Sequence, residues 1–158
     1  MLKRLAAVVL VTVVSAGCGG GSSRSPSPTL TPTAGNTYTA QVDGYLARLA
    51  NNARGQGYNR IVAGPVHGSL RDDETTTHMM DVVGGNQYVL MGACDNDCTD
   101  VDLKIFDTAG NLLMQDIAVD DTPVLLFTAT GSGSYRVQVI MATCNRSPCF
   151  YGVQLMAR

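Results

Sequence analysis

The chain has no tryptophan, three phenylalanines and two histidines, and charged residues make up only 15% of it. Without indole rings and with few phenyl rings, a stacked platform for sugars is hard to build. The two histidines, His67 and His78, stand in no Gly-x-Ser-x-Gly or His-Glu-x-x-His pattern, so nothing in the sequence sets either beside a nucleophile or a metal. A triad assembled only by folding remains the one route to catalysis, and the expectation is a protein that is not an enzyme. Positive charge is also scarce. With Lys3 and Arg4 set aside, nine basic residues face thirteen acidic ones, which excludes nucleic acid as a partner because that requires a concentrated cationic face. The only acidic run, Asp72-Asp73-Glu74, reads as a solvated turn.

No apolar stretch reaches the roughly 20 residues of a membrane-spanning helix. Lys3 and Arg4 precede an uncharged segment, Leu5 to Gly17, which has the layout of a signal peptide over residues 1–17. It ends in Val14-Ser15-Ala16-Gly17-Cys18, small residues before a cysteine, and this resembles the lipobox of bacterial lipoproteins. Cys18 is then the expected site of acylation (palmitate among the chains) and the mature N-terminus. Several acyl chains hold a protein to a membrane where one does not. Residues 18–37 follow as a tether, with Gly-Gly-Gly-Ser-Ser and then Ser25-Pro26-Ser27-Pro28 and Thr31-Pro32-Thr33, nearly devoid of anything to bury. The expected location is the cell envelope, lipid-anchored and facing the periplasm or the cell exterior.

Setting Cys18 apart leaves Cys94, Cys98, Cys144 and Cys149, an even set in an exported domain, and two disulfides are the natural reading. A four-thiolate zinc site is the rival, although paired zinc ligands more often sit two residues apart. Three pairings are open. Proximity in the chain favours Cys94 with Cys98 and Cys144 with Cys149. Loop entropy points the other way, since a local bridge contributes roughly 2 kcal/mol and one spanning some fifty residues roughly 4.

Residues 38–58 form the one helical segment. Val42, Tyr45, Leu46, Leu49 and Ala53 recur at helical spacing with Asp43, Arg48 and Asn52 opposite, and Gly55 and Gly57 stop the pattern. From residue 59 to 158 the period becomes that of strands, with turn residues every 8 to 12 positions or so. Tyr135, Val137, Val139 and Met141 alternate with Arg136 and Gln138; Val101, Leu103 and Ile105 with Asp102 and Lys104; Tyr151, Val153 and Leu155 with Gly152 and Gln154. Gln87 to Ala93 and Pro123 to Ala129 are more uniformly apolar, as central strands covered on both sides are. Seven or eight strands predict a β-sandwich with one N-terminal amphipathic helix.

The segments Gly64-Pro65-Val66-His67-Gly68-Ser69-Leu70, Tyr88-Val89-Leu90-Met91-Gly92-Ala93-Cys94-Asp95 and Asp100-Val101-Asp102-Leu103 begin a further pattern. It continues in Asp107-Thr108-Ala109-Gly110, Asp120-Asp121-Thr122-Pro123, Gly133-Ser134-Tyr135-Arg136-Val137 and Pro148-Cys149-Phe150-Tyr151-Gly152-Val153. In this order they resemble the bacterial pre-peptidase C-terminal domain, in a cysteine-containing variant, over roughly residues 60 to 158. The resemblance implies a mainly β fold of jelly-roll type and an accessory or adhesion-like role, with calcium or substrate binding in some relatives. Where that family accompanies a peptidase, no peptidase motif precedes the domain here.

The cluster that could carry chemistry is Asp95-Asn96-Asp97 with Asp100 and Asp102, hard-oxygen groups suited to calcium. It is not an EF-hand, because the sixth and twelfth positions counted from Asp95 are Asp100 and Phe106. The bland alternative has Asp95 and Asp97 capping turns and Asp102 facing solvent. Function accordingly divides between a non-catalytic envelope module binding an envelope protein or a polysaccharide, an accessory to secreted hydrolases or peptidases acting in trans, and an enzyme with an unrecognised site. If Asp95, Asp97, Asp100 and Asp102 are ligands, calcium raises the melting temperature of the purified protein and a chelator lowers it.

Overall fold

The computed structural model describes residues 34–158, with side chains from Thr37 onward. The signal peptide, Cys18 and most of the tether lie outside the described residues. Helix α1 (Ala34–Gly55) precedes eight strands: β1 (Arg60–Leu70), β2 (Thr75–Val82), β3 (Gln87–Cys94), β4 (Cys98–Phe106), β5 (Leu112–Asp116), β6 (Val124–Thr128), β7 (Gly133–Cys144) and β8 (Cys149–Ala157). They form two four-stranded sheets, a first in the order β1-β8-β3-β6 and a second in the order β2-β7-β4-β5. Every pairing is antiparallel. The mainly β sandwich expected from the alternation is the observed fold. Among the described residues no helix is long and apolar enough to cross a membrane.

Alternation builds the core between the sheets. Leu103, Ile105, Val137, Val139 and Met141 from the second sheet meet Tyr88, Leu90, Leu125, Val153 and Leu155 from the first, all at or near zero exposure. Tyr88 stacks on Phe127 at 5.4 Å, and Phe127 on Tyr135 at 6.3 Å. Both buried tyrosines need a partner for the hydroxyl, and each finds it in a neighbouring turn. Tyr88 accepts from Val83 N–H at 2.8 Å, and Tyr135 donates to the Gly131 carbonyl at 3.0 Å. The core thereby fixes the Gly84-Gly85 and Gly131-Gly133 turns.

A second apolar layer lies outside the first sheet. Val42, Leu46, Ala50 and Ala53 of α1 pack on Val89, Met91, Ala93 and Met156 of β3 and β8. This reverses one expectation. Gly152 and Gln154, read as the wet side of their strand, are buried, because the helix covers the outer face of β8. The helix ends as the glycines predict. Gly57 sits at φ 95, with its N–H on the Arg54 carbonyl and the Tyr58 N–H on the Ala53 carbonyl, so the last turn is closed and buried Tyr58 is turned under it.

Glycine at 152 sets how closely the helix approaches. A Cβ there would lie 2.8 Å from Val42 and 2.9 Å from Leu46, inside contact distance. Gly152→Val forces the helix outward and lowers the unfolding free energy by about 1–3 kcal/mol in denaturant titration. Gly44, on the exposed face with open space at its Cβ position, behaves oppositely: Gly44→Ala raises it by about 0.5–1 kcal/mol.

Candidate functional site

The four cysteines form the two local bridges, Cys94–Cys98 and Cys144–Cys149. A zinc site is thereby ruled out for them, and the pair of bridges fits an extracytoplasmic location. The first bridge closes the loop that carries Asp95, Asn96 and Asp97, and that loop receives the helix. Tyr45 donates to Asn96 Oδ1 at 2.7 Å, and the Asn96 N–H donates to Gln41 Oε1 at 3.2 Å. Tyr38 hydrogen-bonds to Asp97, whose charge also raises the phenol above its ordinary value, and its ring stacks on Phe150 at 5.4 Å.

The aspartates expected as calcium ligands are divided between two places. Asp95 is buried and spends both oxygens on backbone: Oδ1 accepts from Asp97 N–H at 3.1 Å and Oδ2 from Phe150 N–H at 2.8 Å. Burial still raises its carboxyl above the usual range. Asp100 and Asp102 lie on β4, and burial is the first cause that raises both; at Asp100 a hydrogen bond from the Asp120 backbone opposes it and the Asp120 charge adds to it, and at Asp102 the charges of Asp100, Asp116 and Asp120 add to it. Asp100 is 9% exposed, and its Oδ1 is buried with no hydrogen-bond partner. Among the described residues no three carboxylates, imidazoles or thiolates stand close enough together to hold a metal ion.

The histidines join elements. His67 Nε2 lies 2.7 Å from Asp43 Oδ1 and ties β1 to α1. His78 Nε2 lies 2.8 Å from the hydroxyl of buried Tyr151, linking the edge strand of one sheet to an inner strand of the other, and burial lowers its pKa. Neither imidazole contacts a serine or cysteine in these pairings.

The distinctive surface lies elsewhere. Of nine large hydrophobic side chains exposed among the described residues, six fall between Leu112 and Leu126, and three of these, Met114, Val124 and Leu126, line two adjoining grooves. Leu112 and Met114 belong to β5, Ile117 and Val119 to the connection, Val124 and Leu126 to β6; Val119 is 85% exposed. Both strands end their sheets. Pro123 to Ala129, expected to be covered on both sides, is therefore an edge strand whose outer residues meet solvent.

Two grooves flank this edge. One, of about 190 Å³, lies between α1 and the outer face of β3 and β6, lined by Leu49, Ala53, Tyr58, Met91, Val124 and Leu126 among others. A wider one, of about 400 Å³, opens between β5 and β6 and includes Leu113, Met114, Phe127 and Thr128. Tyr58 and Leu126 border both.

The backbone of β6 is directional. Gly92 N–H donates to the Pro123 carbonyl and Ala129 N–H to the Asn86 carbonyl, so these groups face β3. The Val124 N–H points the other way and meets Asp116 Oδ2 at 2.9 Å. Alternation then turns the N–H and C=O of Leu126 and Thr128 outward, to an edge that no strand covers.

Fold and surface together define a disulfide-stapled β-sandwich with one apolar, unpaired edge. No protein-family model and no curated protein sequence matches the chain. Among solved structures it is similar to a periplasmic lysozyme inhibitor of g-type lysozyme from Aeromonas hydrophila, at 12% identity over 59% of this chain and 83% of that one, with a TM-score of 0.46. It is also similar to the pre-peptidase C-terminal domain of a collagenase from Bacillus anthracis, at 15% identity over 57% of this chain and 85% of that one, again with a TM-score of 0.46.

The raised carboxyls give a pH test. A folded carboxyl that holds its proton more tightly than the unfolded one, whose value is 3.8, costs stability as pH rises from that value to the folded one and at every higher pH. Asp100→Asn removes the charge. It raises the melting temperature at neutral pH, and the gain shrinks to nothing near about pH 3, where both forms are neutral.

Proposed function

We propose that the chain is a non-catalytic envelope module, held to the membrane through acylated Cys18, that binds another protein through the β5–β6 surface. The observation that carries this reading is the composition of β6. Val124-Leu125-Leu126-Phe127-Thr128 is an edge strand with no charge, no proline and apolar residues on both faces. Edge strands in soluble proteins are ordinarily blunted by charge, proline, a bulge or shortness, and β6, five residues long, has only the last of these within the strand. The opposite edge of the same sheet has others, since β1 contains Pro65 and two register irregularities. A protein suits the surface better than a sugar, because the exposed groups are aliphatic rather than aromatic. Asp116, Asp120 and Asp121 beside it oppose an anionic bilayer.

The anchor and the surface are tested together. The full chain is used to capture partners from envelope extracts, alongside Leu126→Lys and, on the other sheet, Met79→Lys. Both sites are exposed, so the fold is expected to change by less than about 0.5 kcal/mol. Wild type and Met79→Lys retain the same protein, and Leu126→Lys loses it; equal capture by all three rejects the reading. A secreted hydrolase as the retained protein narrows the role to that of an accessory acting in trans. Cys18→Ala is expected to lose fatty-acid labelling and to move to the soluble fraction.

A further inference from the structure

We infer that β6 receives an extended, apolar segment of the partner, flanked by lysine or arginine, as an added antiparallel or parallel strand; this rests on the protein-binding reading above. Strand addition needs two things, free backbone groups along an edge and separate places for side chains that alternate between the two faces. Both are present on β6. The outward N–H and C=O of Leu126 and Thr128 form the edge, and a groove lies on each side, one beside α1 and one between the sheets. Leu126, bordering both grooves, separates the residues that enter one from those that enter the other.

Charge selects the occupant. Asp100, Asp116 and Asp120 are close enough to Asp102 for their charges to raise its carboxyl, and Asp116 brings this cluster to the Val124 end of the strand, where its Oδ2 holds the Val124 N–H at 2.9 Å. No lysine or arginine occurs between Leu112 and Tyr135, so a second copy of this chain brings no cation on the matching strand. A segment whose apolar alternation ends in basic residues satisfies both the grooves and these carboxylates.

The probe is a synthetic peptide of alternating valine and threonine flanked by lysines, titrated into the full chain while amide exchange is followed. Leu126 and Thr128 amides become protected. Methylating the peptide nitrogens that face β6, or exchanging the flanking lysines for glutamates, weakens binding roughly tenfold, about the worth of one hydrogen bond. Leu126→Pro removes one outward N–H without touching the pairing to β3 and has the same effect on the unmodified peptide. Equal binding of the methylated peptide, or protection confined to other strands, overturns strand addition, and a concentration-dependent dimer that Leu126→Pro abolishes overturns the basic-flanked occupant in favour of a second copy. If strand addition fails while envelope capture still depends on Leu126, the protein-binding reading stands and only the mode is wrong. Loss of that dependence removes both.

Discussion

One helix cannot cover a four-stranded sheet, and most of the surface chemistry follows from that mismatch. Strands spaced about 4.8 Å apart present a face wider than a helix about 10 Å in diameter. Helix α1 settles over β8 and β3, where Gly152 lets it approach, and buries Val89, Met91, Ala93 and Met156. The two outer strands are left to meet water with whatever side chains they carry. On β1 these include Ile61, His67 and Ser69; on β6 they are Val124, Leu126 and Thr128. The same geometric remainder thus produces a mixed surface on one side, where Ile61 stands among polar residues, and a more continuous apolar one on the other.

The acidic loop belongs to the same constraint. A helix lying on a sheet needs its axis fixed, and apolar contact alone is not directional. Gln41 and Tyr45 reach Asn96, Tyr38 reaches Asp97 and Phe150, and Asp43 reaches His67. All four lie between Tyr38 and Tyr45 of α1. The last turns, through Leu49 and Ala53, form one wall of the narrower groove instead. Asp95 keeps the loop in shape by accepting from Asp97 and Phe150, and the Cys94–Cys98 bridge closes it. The carboxylates at 95 and 97 are thereby occupied in holding one element against another.

Legibility in the sequence tracked how local the determining physics was. Alternation in β4 and β7, the glycines that end α1 and the turns between strands are properties of neighbouring residues, and the β-sandwich was readable from them. The position of a strand within its sheet is not local. Gln87 to Ala93 and Pro123 to Ala129 have the same apolar character, yet the first is central and the second is an edge. Gly152 and Gln154 looked polar because glycine and glutamine carry no apolar side chain, whereas one is small so that Val42 and Leu46 can approach and the other is covered. The candidate surface was legible only as a discrepancy: β6 was too apolar for the place the topology gave it.

An exposed apolar edge invites self-association, so its persistence in a folded chain requires restraint. Here the restraint lies at its first residues and in its length. Asp116 takes the Val124 N–H, and Asp120 and Asp121 stand just before the strand, so charge flanks the apolar run on the side where it begins. The open edge is then short, essentially Leu126 to Thr128, and backbone pairing over so few residues gives little affinity for an arbitrary strand. Whatever binds must draw most of its affinity from the two grooves and from the carboxylates. On the proposed reading, brevity of the edge works as selectivity, because an uncharged or acidic strand has the same few hydrogen bonds and draws nothing from the carboxylates to add to them.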